Sequence, residues 1–161
     1  MSISTDQVIP YHNTPHPFVR TLSELESAVG TPLVPGELKR WCAAVADLLN
    51  ATSRLFDGKV TKDHAETFAS IELDDPGLMT RVSDLRTTDE HNLSRIVELK
   101  SECVAVQTKS ASVGADEASA IDDVERFVVN AQQLIIDLRQ QETAITTWQH
   151  ESLNRDRGEG D

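Results

Sequence analysis

The stretch from Pro76 to Val106 repeats its apolar residues at alternating steps of four and three, which lines one stripe of side chains along a long α-helix. The polar positions that complete this series are Asp89 and Asn92. A strict four-three stripe packs beside other helices at a shallow angle. We therefore predict a helical bundle with a polar layer midway along this helix. The apolar members of the stripe are Leu78, Val82, Leu85, Ile96, Leu99, Cys103 and Val106.

The chain before this stretch predicts two further helices. Helix one covers residues 17–29, with His16 at its mouth and a proline in its first turn. Helix two covers residues 38–56 and is predicted to close at Asp57-Gly58, a typical helix-ending pair. The segment 59–75 is expected to be a connection with a single helical turn. His64, within it, is then a loop residue.

The long third helix starts with Asp75 as its cap and Pro76 in its first turn, and it runs to about Lys109. A loop around Gly114 follows, and Asp116 caps helix four. Short loops make neighbouring helices antiparallel, which places Asp89 beside Gln141 in one inward polar layer. The apolar stripe of helix four, interrupted at Gln141, is Val124, Phe127, Ala131, Leu134, Leu138, Ile145 and Trp148.

Length and charge limit what the chain can do. The 161 residues predict a lead-in over residues 1–13 and one domain over residues 14–161. Acidic residues outnumber basic ones 27 to 15, for a net charge of −12, which argues against nucleic acid and anionic membranes as partners. Without a leader or spanning segment, we expect a cytoplasmic protein. Cys42 and Cys103 lie on apolar stripes and are expected to be buried free thiols, as in a reducing compartment.

Three motifs point to a known family. Helix one opens with Pro15-His16-Pro17-Phe18-Val19-Arg20, and helix three opens with Asp75-Pro76-Gly77-Leu78 and continues Val82-Ser83-Asp84-Leu85-Arg86. The chain ends with Leu138-Arg139-Gln140-Gln141, followed by Glu151, Asn154, Asp156, Gly158 and Asp161. Together these motifs resemble the hemerythrin-like (HHE cation-binding) family over most of the chain. The resemblance implies an all-α, antiparallel up-down four-helix bundle with a non-haem di-iron centre bound by histidines and carboxylates.

The resemblance places metal ligands at His16, at Asp89 and, with a local distortion of the helix, at His91. Two residues rotate a helix by about 200°, so without distortion His91 faces away from Asp89. Gln141 occupies a further ligand position of the family. The resemblance also implies that the C-terminal tail folds back on the bundle. The polarity of the residues after Trp148, in contrast, is typical of a frayed end.

Several ligand positions of the family carry unsuitable side chains here. Gln141 stands in place of a histidine, Ile145 in place of a carboxylate, and Thr52 where helix two should supply a ligand. Amides and hydroxyls replace imidazole poorly at iron. We therefore expect a degenerate site with no cofactor. If the buried Asp89 has no basic partner, Asp89→Leu should leave stability unchanged or raise it, and Gln141 would be its hydrogen-bond donor.

Three functions remain open. The first is a metal-free or weakly metal-binding hemerythrin-like bundle that acts as a binding or structural module, with a protein partner or a small ligand in its core. The alternative is a functional non-haem iron and oxygen-binding protein with an altered ligand set. An enzyme acting through Asp89 is the third and least favoured, because the sequence places no basic or nucleophilic partner beside it.

Overall fold

The computed structural model describes residues 15–111 and 117–156, and over these residues all regular structure is helical. The predicted lead-in over residues 1–13 and the predicted cap Asp116 lie outside this range. The helices are α1 (Pro17–Gly30), α2 (Leu38–Gly58), α3 (Ala65–Asp74), α4 (Met79–Ala111) and α5 (Glu117–Asp156). A π segment, Lys59–His64, joins α2 to α3, and the 3-10 turn Pro76–Leu78 leads into α4. The predicted all-α bundle is confirmed.

The predicted end of helix two at Gly58 is wrong. Gly58 has helical angles, φ −61° and ψ −40°, and so does His64, so α2, the π segment and α3 form one continuous rod from Leu38 to Asp74. Glycine ends a helix when its backbone turns left-handed, which Gly58 does not do. With this rod counted once, the described part of the chain contains four helical units.

The predicted stripes form the core. All nine positions of the stripe predicted for helix three, including Asp89 and Asn92, are buried; the first, Leu78, lies in the 3-10 turn and the others in α4. On α5 the stripe is buried from Val124 to Ile145, with Gln141 among its buried members and Trp148 half-buried. Cys42 and Cys103 are free and buried, as predicted. Burial of the apolar stripes supplies the main driving force for this packing.

Helices α4 and α5 pair along most of their lengths. Lys109 contacts Asp123, Glu102 contacts Asn130, and Arg95 contacts Asp137. Partner numbers on α5 rise as those on α4 fall, so these two helices run antiparallel. The predicted shared layer of Asp89 and Gln141 continues this ladder, with their side chains 2.8 Å apart.

The caps of two helices are as predicted. His16 precedes α1, and its Nδ1 accepts the backbone N–H of Phe18 at 3.3 Å. Asp75 precedes the 3-10 turn and accepts the N–H of Gly77 at 2.9 Å. Each side chain satisfies a backbone donor that the first helical turn leaves without a partner.

The C-terminal segment remains helical as far as it is described. Helix α5 continues to Asp156, Ser152 is buried, and Arg155 reaches the carboxylate of Asp75 at 3.3 Å. The tail after residue 156 lies outside the described range. Over residues 15–111 and 117–156, no helix combines the length and the hydropathy that crossing a membrane requires.

Candidate functional site

A charged layer lies where the π segment meets α4 and α5, with three of its residues buried and two half-buried. We define this charged layer as Lys59, His64, Asp89, Gln141 and Glu142. A π turn contains one residue more than an α turn, so it shifts every later side chain around the helix. Seven residues after Phe56 an uninterrupted helix would turn Asp63 inward. The extra residue turns His64 inward instead, while Asp63 is exposed.

The imidazole of His64 is held from both sides by carboxylates. Its Nδ1 lies 2.9 Å from Asp89 Oδ2, and its Nε2 lies 2.7 Å from Glu142 Oε1. The two remaining carboxylate oxygens also have partners: Gln141 Nε2 donates to Asp89 Oδ1 at 2.8 Å, and Lys59 Nζ lies 3.0 Å from Glu142 Oε2. Gln141 Nε2 also donates to the Leu85 carbonyl at 2.8 Å.

Two opposing effects act on the pKa of His64. Burial lowers it, but the hydrogen bonds and negative charges of Asp89 and Glu142 outweigh burial and raise the pKa to about 9. For the carboxylate of Glu142, burial acts in the other direction and raises the pKa. The hydrogen bonds and positive charges of His64 and Lys59 outweigh burial, so the pKa of Glu142 is lowered. At neutral pH His64 is therefore an imidazolium that donates through both ring nitrogens. Two cations then face two carboxylates, and the layer is close to neutral.

Aromatic rings keep water away from this imidazolium. The rings of Phe56 and Phe68 lie with their centroids 5.9 Å from that of His64 on the flanking turns of the rod. Low local polarity strengthens the ion pairs but makes an unpaired charge costly. The arrangement can therefore hold a proton tightly and fix three helical units against one another.

The predicted ligands do not come together. His16 is exposed and caps α1, and His91 is exposed on the outer side of α4, two residues after the buried Asp89. Helix α4 continues as an α-helix through both residues, so the distortion that would turn His91 inward is absent from it. Asp89 and Gln141 do lie in one layer, and their predicted hydrogen bond is present.

The residues present do not fit a di-iron centre. His64, the buried histidine of this layer, has both nitrogens occupied by carboxylates and offers no lone pair to a metal. Thr52 donates its hydroxyl to the Leu48 carbonyl at 2.8 Å, and Ile145 is apolar. Within residues 15–111 and 117–156, no group of three or more His, Cys, Asp or Glu side chains is placed to hold a metal ion.

Sequence reasoning missed His64, Glu142 and Lys59. The expectation that His64 is a loop residue is wrong, and Asp89 does have a basic partner. A signal was present: the inward stripe of the rod continues after Phe56 at His64, Phe68 and Ile71, with one step of eight before the steps of four and three resume. A step of eight in place of seven marks one inserted residue, as a π turn provides.

Comparisons with protein-family models, with curated proteins and with solved structures found no match for this chain. The geometry of the charged layer therefore carries the functional inference.

Proposed function

We propose that this protein is an antiparallel, hemerythrin-like four-helix bundle in which a charged layer occupies the place of a metal centre, and that it acts as a metal-free binding or structural module. One observation carries the proposal: both nitrogens of His64 are held by carboxylates, those of Asp89 and Glu142. A metal would have to displace at least one of these hydrogen bonds and its proton.

Competition with the proton supports the metal-free state. Histidine binds a metal only as the neutral imidazole. With the pKa of His64 near 9, the neutral fraction at pH 7 is about one in a hundred, which weakens metal binding at this ring about a hundredfold. Without a metal, each carboxylate oxygen of Asp89 and Glu142 already has a partner in the charged layer. Its place between the π segment, α4 and α5 is consistent with a role in fixing the bundle.

An enzymatic role has little support. A buried histidine beside a carboxylate is a common acid-base pair, but His64 is 2 % exposed and both of its nitrogens are already bonded. Three surface grooves among the described residues are lined by other side chains. We therefore favour a binding or structural role over catalysis.

Metal analysis with thermal melting tests the proposal. Purified wild type and Asp89→Leu are each melted with chelator and with added ferrous iron, and their iron content is measured. We expect neither bound iron nor an iron-dependent change in Tm. Bound iron with a rise in the wild-type Tm that Asp89→Leu abolishes would support the alternative, a non-haem iron protein with an altered ligand set.

A further inference from the structure

An apolar groove lies at the end of the bundle where α1 stops. Helix α1 has 14 residues and ends at Gly30, whereas α5 has 40, so the first turns of α5 extend beyond it. The loop that leads from Thr31 to α2 covers this end instead. Between loop and helix the groove has a volume of about 810 Å³. It follows α5 from Ile121 to Gln132, about 16 Å at the rise of an α-helix.

The loop side of the groove has a defined shape. Val34 accepts the N–H of Glu37 at 3.0 Å across Pro35 and Gly36, and Gly36 has φ +87°. This is a type II turn, whose third position favours glycine. Leu33 and Pro35 of this loop line the groove opposite Val124, Val128 and Val129 of α5.

Trp41 forms part of the groove wall and is fixed in place. Its indole N–H donates to the Ala28 carbonyl at 3.0 Å, and its ring packs edge-on against Phe127 at 5.8 Å between centroids. Because the indole donor is already used, Trp41 offers the groove its aromatic surface. An aromatic face attracts cations as well as apolar groups.

The polar groups around the groove also favour positive charge. Among the described lining residues, Glu125 is the one charged side chain. The C-terminal residues of α1, Val29 and Gly30, line it too, and the carbonyls at a helix C-terminus carry a partial negative charge. The aromatic face of Trp41, the carboxylate of Glu125 and the C-terminus of α1 thus all favour a cation in the groove. An anionic ligand would meet repulsion here.

We propose that this groove binds a small amphiphilic cation, an apolar body that carries one ammonium or guanidinium group. The inference rests on the proposed role as a binding module and names its class of ligand. The volume is in the range of about 300–1,000 Å³ that is usual for small-molecule sites, whereas a stable protein interface needs about 800 Å² from each partner. A second copy of the chain would also bring its own charge of −12 to the acidic surface.

Three probes with the same apolar body test the charge preference: octylammonium, octanol and octanoate. The readout is Trp41 fluorescence in the full chain with Trp148→Phe, since these are the two tryptophans of the protein. We expect saturable binding of octylammonium at least about tenfold tighter than that of octanoate, which corresponds to about 1.4 kcal/mol. Equal affinity for the two, or no saturable binding of octylammonium, would overturn the proposal.

Two exposed valines give a matched pair of variants. Val129 lines the groove and is 63 % exposed, whereas Val104 on α4 is 58 % exposed and does not line it. Val129→Lys should weaken octylammonium binding about tenfold by obstructing the groove and adding a repelling charge, while Val104→Lys should change it less than about twofold, because distant surface charges are screened. Equal effects of both variants would show binding by overall charge and would contradict the site.

Glu125→Gln tests the source of the charge preference. It should bring the affinities for octylammonium and octanol closer together, whereas Asp122→Asn, the same charge change outside the groove lining, should not. If Glu125→Gln keeps the preference for octylammonium over octanol, the carboxylate of Glu125 is not the counter-ion of the bound cation. None of these binding measurements involves metal. A negative result for the groove is therefore distinguishable from a negative result for the proposal of a metal-free charged layer.

Discussion

His64 is the residue on which the charged layer depends, because its ring contacts both Asp89 and Glu142. Without the imidazolium, Asp89 would be a buried charge with no cationic partner at hydrogen-bond distance. The imidazolium between them, together with Lys59 at Glu142, balances the two negative charges. Removing either side of such a pair leaves an uncompensated buried charge, which costs more than the pair itself contributes.

The protonation of His64 makes stability depend on pH. The pKa of His64 is about 9 in the folded protein and about 6.5 in an unfolded chain. A raised pKa means that folding retains a proton, so the full contribution is present below about pH 6.5 and is lost as pH rises through about 9. We expect the free energy of unfolding to fall over this window, by at most about 1.4 kcal/mol per pH unit.

Urea denaturation at pH 6, 8 and 9.5 measures this loss, with His64→Gln as the control because glutamine does not titrate. The control should show a flatter profile. Parallel profiles for wild type and His64→Gln would contradict a charged His64. The lowered pKa of Glu142 acts in the opposite range, since its contribution is lost when the pH falls into the acidic region.

Asp89→Leu is now expected to destabilise the protein. The sequence alone predicted little change or a gain, on the premise that Asp89 has no basic partner. With His64 Nδ1 at 2.9 Å, the variant leaves the imidazolium with Glu142 alone and Gln141 with one acceptor fewer. We expect a loss of about 3 kcal/mol or more in the free energy of unfolding at pH 7. A variant as stable as wild type would restore the earlier expectation.

Among the elements, the π segment is the one that builds the site. It lies between two stretches of ordinary α-helix and carries both Lys59 and His64 into contact with Glu142. Its extra residue brings His64 inward, and after it Phe68 and Ile71 continue the buried face. A rod without this insertion would require the histidine one position earlier.

Deleting an exposed residue of the π segment should therefore be tolerated. Without Lys62 the rod can become a regular α-helix in which His64 follows Phe56 by seven steps and still faces inward. We expect Tm to change by only a few degrees, consistent with about 1 kcal/mol or less. Deleting Arg54, an exposed residue of α2, is the control: it rotates Phe56 by about 100° relative to the first half of α2. Melting curves followed by circular dichroism distinguish the two deletions. A Lys62 deletion that lowers Tm as much as the Arg54 deletion would contradict the assignment of one inserted residue to the π segment.

At the scale of the whole molecule, apolar burial holds the four helical units together. The central cluster takes residues from α1, α2, α4 and α5, and a second cluster joins α3 to both long helices. A pair of hydrogen bonds from Arg139 to Glu26, at 3.0 and 2.7 Å, adds a surface link between α5 and the short α1. Exposed pairs of this kind contribute little, so packing carries the stability.

Two neighbouring residues of α5 test the packing. Leu138 is fully buried in the central cluster, whereas Ile136 is 46 % exposed. Leu138→Ala should cost about 2–5 kcal/mol, because it deletes buried atoms and leaves a cavity. Ile136→Ala should cost clearly less in chemical denaturation. Similar losses for the two variants would mean that the face of α5 has been assigned wrongly.

The sequence by itself determined which faces of the helices are buried. The stripe from Leu78 to Val106, with Asp89 and Asn92 in it, is buried at every position, and Gln141 meets Asp89 as predicted. Periodicity could do this because a side chain's direction on a regular helix depends only on the count of residues along it. The rule that failed was the one for helix ends: Gly58, a glycine that can end a helix, continues one instead.

Only the tertiary structure decided which charged partners join Asp89 and Gln141 in the polar layer. His64 is 25 residues from Asp89 and 78 from Glu142 along the chain. Nothing local to residues 59–64 requires a π turn or an inward histidine. The arrangement becomes favourable when α4 and α5 place two carboxylates beside the rod, because a buried charge is stable only with partners within hydrogen-bond distance. Partners in space, unlike positions on a helix face, are set by how the helices pack.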